Sequence, residues 1–200
     1  MSISLVAGLG NPGREYEQTR HNLGFIVLDA WARRLGLTWQ KQRAYQAETA
    51  RWERAPGQSI LLVKPQTYMN ESGRSLQSLG SFYRIPPTSM VVLYDDLNIE
   101  LGRVKLSVTG SAGGHNGVAS LLAHLGDGFI RYRLGIGPKD PPQIDMKDFV
   151  LGKFTSEQLT IIDQTLDQYL SGLQILLDRG TAQAMNTLNR REKPNEPKQT

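Results

Sequence analysis

Along the chain, short apolar runs alternate with longer stretches whose apolar residues recur every three or four positions. The runs at 3–7, 45–52, 59–64, 90–94, 103–108 and 130–136 are rich in β-branched and aromatic residues and read as strands. The longer stretches read as helices. Asn22 stands where a cap would, ahead of Phe25, Ile26, Leu28, Ala32 and Leu35, and Gly36 supplies the stop. Leu76, Leu79 and Tyr83 mark a second helix over 71–83. Val118, Leu121, Leu122 and Leu125 mark a third that ends at Gly126. The longest opens on the capping box Thr155-Ser156-Glu157-Gln158, buries Leu159, Ile162, Leu166, Tyr169, Leu170, Leu173 and Leu177, and stops at Gly180.

This alternation predicts an α/β fold, a single domain over residues 1–189 with one mixed β-sheet flanked by helices on both faces. The Pro56-Gly57 turn between 45–52 and 59–64 makes that pair of strands antiparallel. Residues 138–147, with three prolines, read as an irregular loop. Residues 190–200 are polar, contain proline and read as a disordered tail.

Composition narrows the classes. The chain has 200 residues, enough for one domain with a substantial core. No apolar stretch approaches the ~18 residues of a membrane span. The start Met-Ser-Ile-Ser lacks the basic-then-apolar layout of a secretory leader. There is no cysteine, so disulfides, thiolate-bound zinc and a thiol nucleophile are all excluded. A cytoplasmic setting fits. The net charge is +4, but the tail from Arg190 to Thr200 carries +2 of it, so basicity by itself is weak evidence for a nucleic-acid partner.

Candidate chemistry begins at "VAGLGNPGREYEQTRHNLG", residues 6–24. Gly8, Gly10 and Gly13 form a literal G-x-G-x-x-G after an apolar run. A dinucleotide site also needs a helix that starts inside the glycine turn. Here Asn11-Pro12-Gly13 is turn chemistry, and the next helical pattern starts near Asn22. The turn instead brings Asn11 to the carboxyl end of a strand, where open α/β sheets place ligands. Asn70, Asp95, His115 and Asn116 also follow strands, with Asp95-Asp96 ending the run 90–94. With His21, they can meet at one edge of one sheet. Taken singly, Asn22, Asn70 and Asn116 each read as a helix cap.

Two chemistries suit this set. His21, His115 and Asp95 are an allowed metal-ligand trio, though they lack tight ligand spacing. In the second, His21 takes a proton from water while Asp95 orients the imidazole, and Asn70 and Asn116 hold water or donate to an oxyanion. No cofactor or metal is needed for that route, which suits an activated carbonyl such as an ester. A binding module without catalysis is a further alternative.

At these residues the chain resembles the bacterial peptidyl-tRNA hydrolases. The resemblance runs through "VAGLGNPGREYEQTRHNLG", "LLVKPQTYMNESG", "VVLYDDL", "GSAGGHNG", "RYRLGIG" and "FVLGKF". It implies a cytoplasmic, cofactor-independent monomer that cleaves the ester between a peptide and the 3′ end of tRNA. On matching positions, His21 would be the base, Asp95 its orienting carboxylate and Asn11 the sensor of an acylated amino group. Tyr16, Tyr68, Asn70, His115 and Asn116 would contact the aminoacyl end, and Arg133 the tRNA phosphates. Relatives commonly carry Lys or Arg at the positions of Ser107 and Ala119. Lys105 or Arg103 would have to serve in place of Ser107.

Overall fold

The computed structural model describes residues 2–190. In chain order the elements are β1 (Leu5–Gly8), α1 (Leu23–Arg34), β2 (Gln40–Gln42), β3 (Ala47–Ala55), β4 (Gln58–Pro65), α2 (Ser72–Tyr83), β5 (Met90–Glu100), β6 (Val104–Ser107), α3 (Asn116–Leu125), β7 (Ile130–Gly137), α4 (Met146–Leu151) and α5 (Ser156–Leu188). All seven strands join one sheet in the order β2-β3-β4-β1-β5-β7-β6. β4, β1, β5 and β7 run parallel, and the pairs β2/β3, β3/β4 and β6/β7 are antiparallel. The sheet is mixed, as expected.

Strand alternation sends side chains to two cores. Val6, Leu62, Val91, Leu93 and Tyr132 pack beneath Leu23, Val27 and Leu28 of α1 and Tyr169, Leu170 and Leu173 of α5. Leu5, Ala7, Leu61, Val63 and Val92 pack beneath Leu76 and Leu79 of α2 and Val118 and Leu121 of α3. Helices therefore cover both faces.

Two glycines near the first turn are required by packing. A Cβ on Gly24 would lie 2.5 Å from the Leu93 carbonyl oxygen, and one on Gly8 would lie 2.5 Å from that of Gly24. Backbone meets backbone where α1 crosses β1 and β5. That contact brings the turn Arg20–Asn22, just before α1, against the strand ends.

Several expectations need correction. β5 does not stop at Asp95-Asp96 but runs on to Glu100 through an irregularity in its pairing with β7. β7 makes room with glycines, since a Cβ on Gly135 would lie 1.9 Å from the Glu100 oxygen and one on Gly137 would lie 2.1 Å from the Leu97 oxygen. Asp95 is thus held in a paired strand, which is firmer than a turn. Two elements, β2 and α4, are too short to show a period. α4 takes up the end of the expected loop, leaving 138–145 irregular. The long helix breaks at Gly180 but resumes to Leu188, so that Ala184 is buried. Asn189 then lies beside β6, its side chain accepting from the Leu106 N–H (2.8 Å) and donating to the Leu106 carbonyl (3.0 Å). From Arg191 onward the expected tail lies outside the described residues. Among the described residues no helix is long and apolar enough to cross a membrane.

Candidate active site

Above the carboxyl ends of β1, β4 and β5 lies a cleft of about 970 Å³. Its walls include Asn11, Tyr16, His21, Tyr68, Asn70, Asp95, His115, Asn116 and Arg133, which the sequence had nominated. Lys105 does not line it.

At the floor, His21 and Asp95 form a buried pair. His21 Nδ1 lies 3.0 and 3.1 Å from the two Asp95 carboxylate oxygens. A carboxylate can only accept, so Nδ1 carries the proton and Nε2 keeps its lone pair. Nε2 has no partner among the described residues. Burial alone would raise the Asp95 carboxyl. The opposing pull of His21 and His115, with their hydrogen bonds, outweighs it and holds Asp95 well below the usual carboxylate range. Asp95 is therefore ionised throughout the pH range in which an imidazole can act as a base.

His115 has a role the sequence did not reveal. Its Nδ1 accepts from the backbone N–H groups of Gly117 (3.1 Å) and Val118 (3.3 Å), so it caps α3. The cap is not Asn116, which is the first helical residue and is exposed. With Nδ1 accepting, the ring proton sits on Nε2, 3.0 Å from Asp95 Oδ1. Both nitrogens of His115 are thus engaged inside the protein. The ring lines the cleft, but it braces Asp95 and has no polar atom left for substrate. The same tautomer bears on the metal alternative. Ligand atoms of His21, Asp95 and His115 do lie within 4.8 Å of one another. A metal on His115 Nε2 would move the ring proton to Nδ1, against two N–H donors. The donor set does not fit a cation.

Asn22 is not a helix cap either. Its side chain makes no capping bond, and instead accepts from the Asn11 N–H and donates to the Asn11 carbonyl, both at 2.9 Å. The Asn11 side chain accepts from the Met69 N–H at 2.8 Å.

At the β6/β7 side the basic residues differ in freedom. Arg131 is buried, donating to the Ser111 carbonyl (2.8 Å) and to Asp127 (3.3 Å), and so it fastens the loop before α3. Arg133 lines the cleft with its Nε on Asp96 (2.8 Å), and its other two guanidinium nitrogens have no partner among the described residues. Arg103 is engaged with Glu100 (3.8 Å) and the Arg190 carbonyl (3.2 Å). Lys105 pairs in register with Arg133 and shares its face of the sheet, without an ion-pair partner among the described residues. Ala119 lies exposed on α3.

Comparisons with known proteins identify the family. The family model described as "Peptidyl-tRNA hydrolase" matches residues 5–197. The chain belongs to the peptidyl-tRNA hydrolase family. The peptidyl-tRNA hydrolase of Gloeobacter violaceus is 42% identical over 195 residues, 96% of each chain. That of Synechocystis is 43% identical over 193 residues, 96% of this chain and 98% of the relative. The crystal structure of peptidyl-tRNA hydrolase from Acinetobacter baumannii superposes with a TM-score of 0.83 at 37% identity, covering 94% of each chain.

In this peptidyl-tRNA hydrolase fold a second buried cation supports the site from behind. Arg20 precedes His21 and is buried, donating to the Phe149 carbonyl (3.2 Å) and to Gln158 (2.9 Å) with its guanidinium 4.5 Å from the centre of the Phe149 ring. It ties the turn that carries His21 to α4, one wall of the cleft, and to the start of α5. Sequence reading missed it because a lone Arg in a polar stretch looks solvated. Arg20→Ala should lower stability by roughly 2–4 kcal/mol, the worth of two charged hydrogen bonds and a cation–π contact offset in part by the cost of burying the charge. Urea denaturation measures it, and a loss below about 0.5 kcal/mol would show that the tie carries little.

Proposed function

We propose that this member of the family hydrolyses the ester between a peptidyl group and the tRNA 3′ end by water activated at His21, releasing free tRNA. The observation that carries the reading is the fixed tautomer of His21: Nδ1–H on an ionised, buried Asp95 and a free Nε2 in the cleft. Nε2 takes a proton from water as its oxygen attacks the ester carbonyl. The imidazolium that forms faces the Asp95 carboxylate, and the developing oxyanion meets the amide N–H₂ groups of Asn70 and Asn116. The proton then passes to the departing ribose oxygen. Tyr16 and Tyr68 flank the aminoacyl end, and Asn11 reads its acylated nitrogen.

Arg133 and Lys105 are the phosphate handle, for their charges share one face of adjacent strands. Lys105 stands two residues from Ser107, so it can supply the charge missing there. We also place the protein in the cytoplasm as a monomer that needs no protein partner. Release of tRNA from N-acyl-aminoacyl-tRNA, with and without chelator, tests the activity. A non-catalytic binder would release nothing, and chelator sensitivity would revive a metal route.

The tRNA grip has its own test. Arg133→Ala should raise KM for peptidyl-tRNA and flatten its salt dependence by roughly one unit of log–log slope. It should do little to an N-acyl-aminoacyl-adenosine, which has no distal phosphate. Equal losses on both substrates would mean that Arg133, through Asp96, supports the catalytic floor.

A further inference from the structure

The amide of Asn11 is locked in one direction. A backbone N–H can only donate, so the atom that receives the Met69 N–H at 2.8 Å must be the Asn11 oxygen. The nitrogen, Nδ2, is left as the group the side chain can offer to the cleft. Asn11 thus turns its oxygen to the Met69 N–H and offers the Nδ2 donors to the cleft. An acylated amino group brings a carbonyl oxygen, which accepts. A free ammonium brings donors alone and faces like with like.

That direction holds only while the Asn11 backbone stays in place, and Asn22 is what keeps it there. Its amide satisfies the N–H and the carbonyl of Asn11 together, each at 2.9 Å, from 11 positions along the chain. The orientation of Asn22 is fixed by the same logic, since its oxygen must face the Asn11 N–H and its nitrogen the Asn11 carbonyl. Asn22 is 2% exposed and lines no part of the main cleft. Pro12 follows directly and has no N–H with which to anchor the turn.

We propose that Asn22 is the positioning residue for substrate selection: by clamping both backbone polar groups of Asn11, it holds the Asn11 amide nitrogen toward the acyl carbonyl and so sets the preference for N-acylated over free aminoacyl-tRNA. The inference rests on the reading of Asn11 as the group that meets the acylated nitrogen.

The measurement is the ratio of kcat/KM for N-acetyl-aminoacyl-tRNA to that for the unacylated form. A general disturbance of the neighbouring His21 slows both substrates alike and leaves the ratio unchanged. Asn22→Ala should narrow the ratio by about three- to tenfold, the factor one ordinary hydrogen bond is worth. Asn22→Asp, of the same shape, still accepts from the Asn11 N–H but opposes the Asn11 carbonyl, and should give an intermediate ratio. It also keeps the test alive if the alanine variant does not fold. In an Asn11→Ala background, Asn22→Asp should change the ratio no further. If Asn11→Ala narrows the ratio and neither Asn22 variant does, the clamp is overturned while the reading of Asn11 stands. If Asn11→Ala itself leaves the ratio unchanged, the reading of Asn11 falls and takes the clamp with it.

Discussion

His21→Ala is expected to lower kcat by roughly 10²–10⁴, the range for losing a positioned proton acceptor. Nε2 of His21 is the free basic nitrogen at the cleft floor, since both nitrogens of His115 are engaged by Asp95 and α3. No neighbour can therefore substitute. KM for peptidyl-tRNA should change little, because the proposed phosphate contacts lie on β6 and β7. Single-turnover release of tRNA, with circular dichroism to check folding, reads the effect. A variant with kcat within about threefold of the parent would remove His21 from the chemistry.

Asp95→Asn should come close to the same loss. The amide can turn its N–H₂ toward Nδ1, which forces the ring proton onto Nε2 and leaves no lone pair in the cleft. It also removes the charge that faces the imidazolium. His115 compounds the effect, for its Nε2–H donates to the same Oδ1. An amide oxygen at the Oδ1 position can accept from both rings, but the nitrogen then stands at Oδ2 against the His21 Nδ1–H, donor against donor. The carboxyl of Asp95 lies below its usual value, so its contribution to stability is complete above the unfolded carboxyl value and is lost only as pH falls through the lower folded one. Protonation of Asp95 therefore does not set the acid limb of the rate. A pH–rate profile of Asp95→Asn that overlays the parent's in height and shape would refute this.

The sheet and four of the five helices were legible because their apolar periods run for ten residues or more, or in β-branched blocks bounded by turns. β2 and α4 were not, because three and six residues are too few for a period. The residues that meet in the cleft were legible as polar residues expected near strand ends. Their partners were not. Asn22 sits where a cap belongs, and a cap and a clamp are the same letter. The capping done by His115 was hidden because histidine is an unusual cap and Asn116 beside it a usual one. Arg131 and Arg133 alternate alike, and only burial separates the brace from the guanidinium that reaches the cleft. In each case the deciding contact joins residues from separate elements, which local pattern does not encode.

The side chain of Asn189 beside β6 has a consequence for how copies of this protein meet. An outer strand normally leaves a ladder of bonding groups on which a second molecule can build. At β6 one rung, the N–H and carbonyl of Leu106, is already filled from within the chain. The opposite border, β2, is three polar residues long. Strand-to-strand growth of one sheet into another would first have to evict Asn189 or start from a border too short to hold. The fold thus discourages templated aggregation at both ends of its sheet.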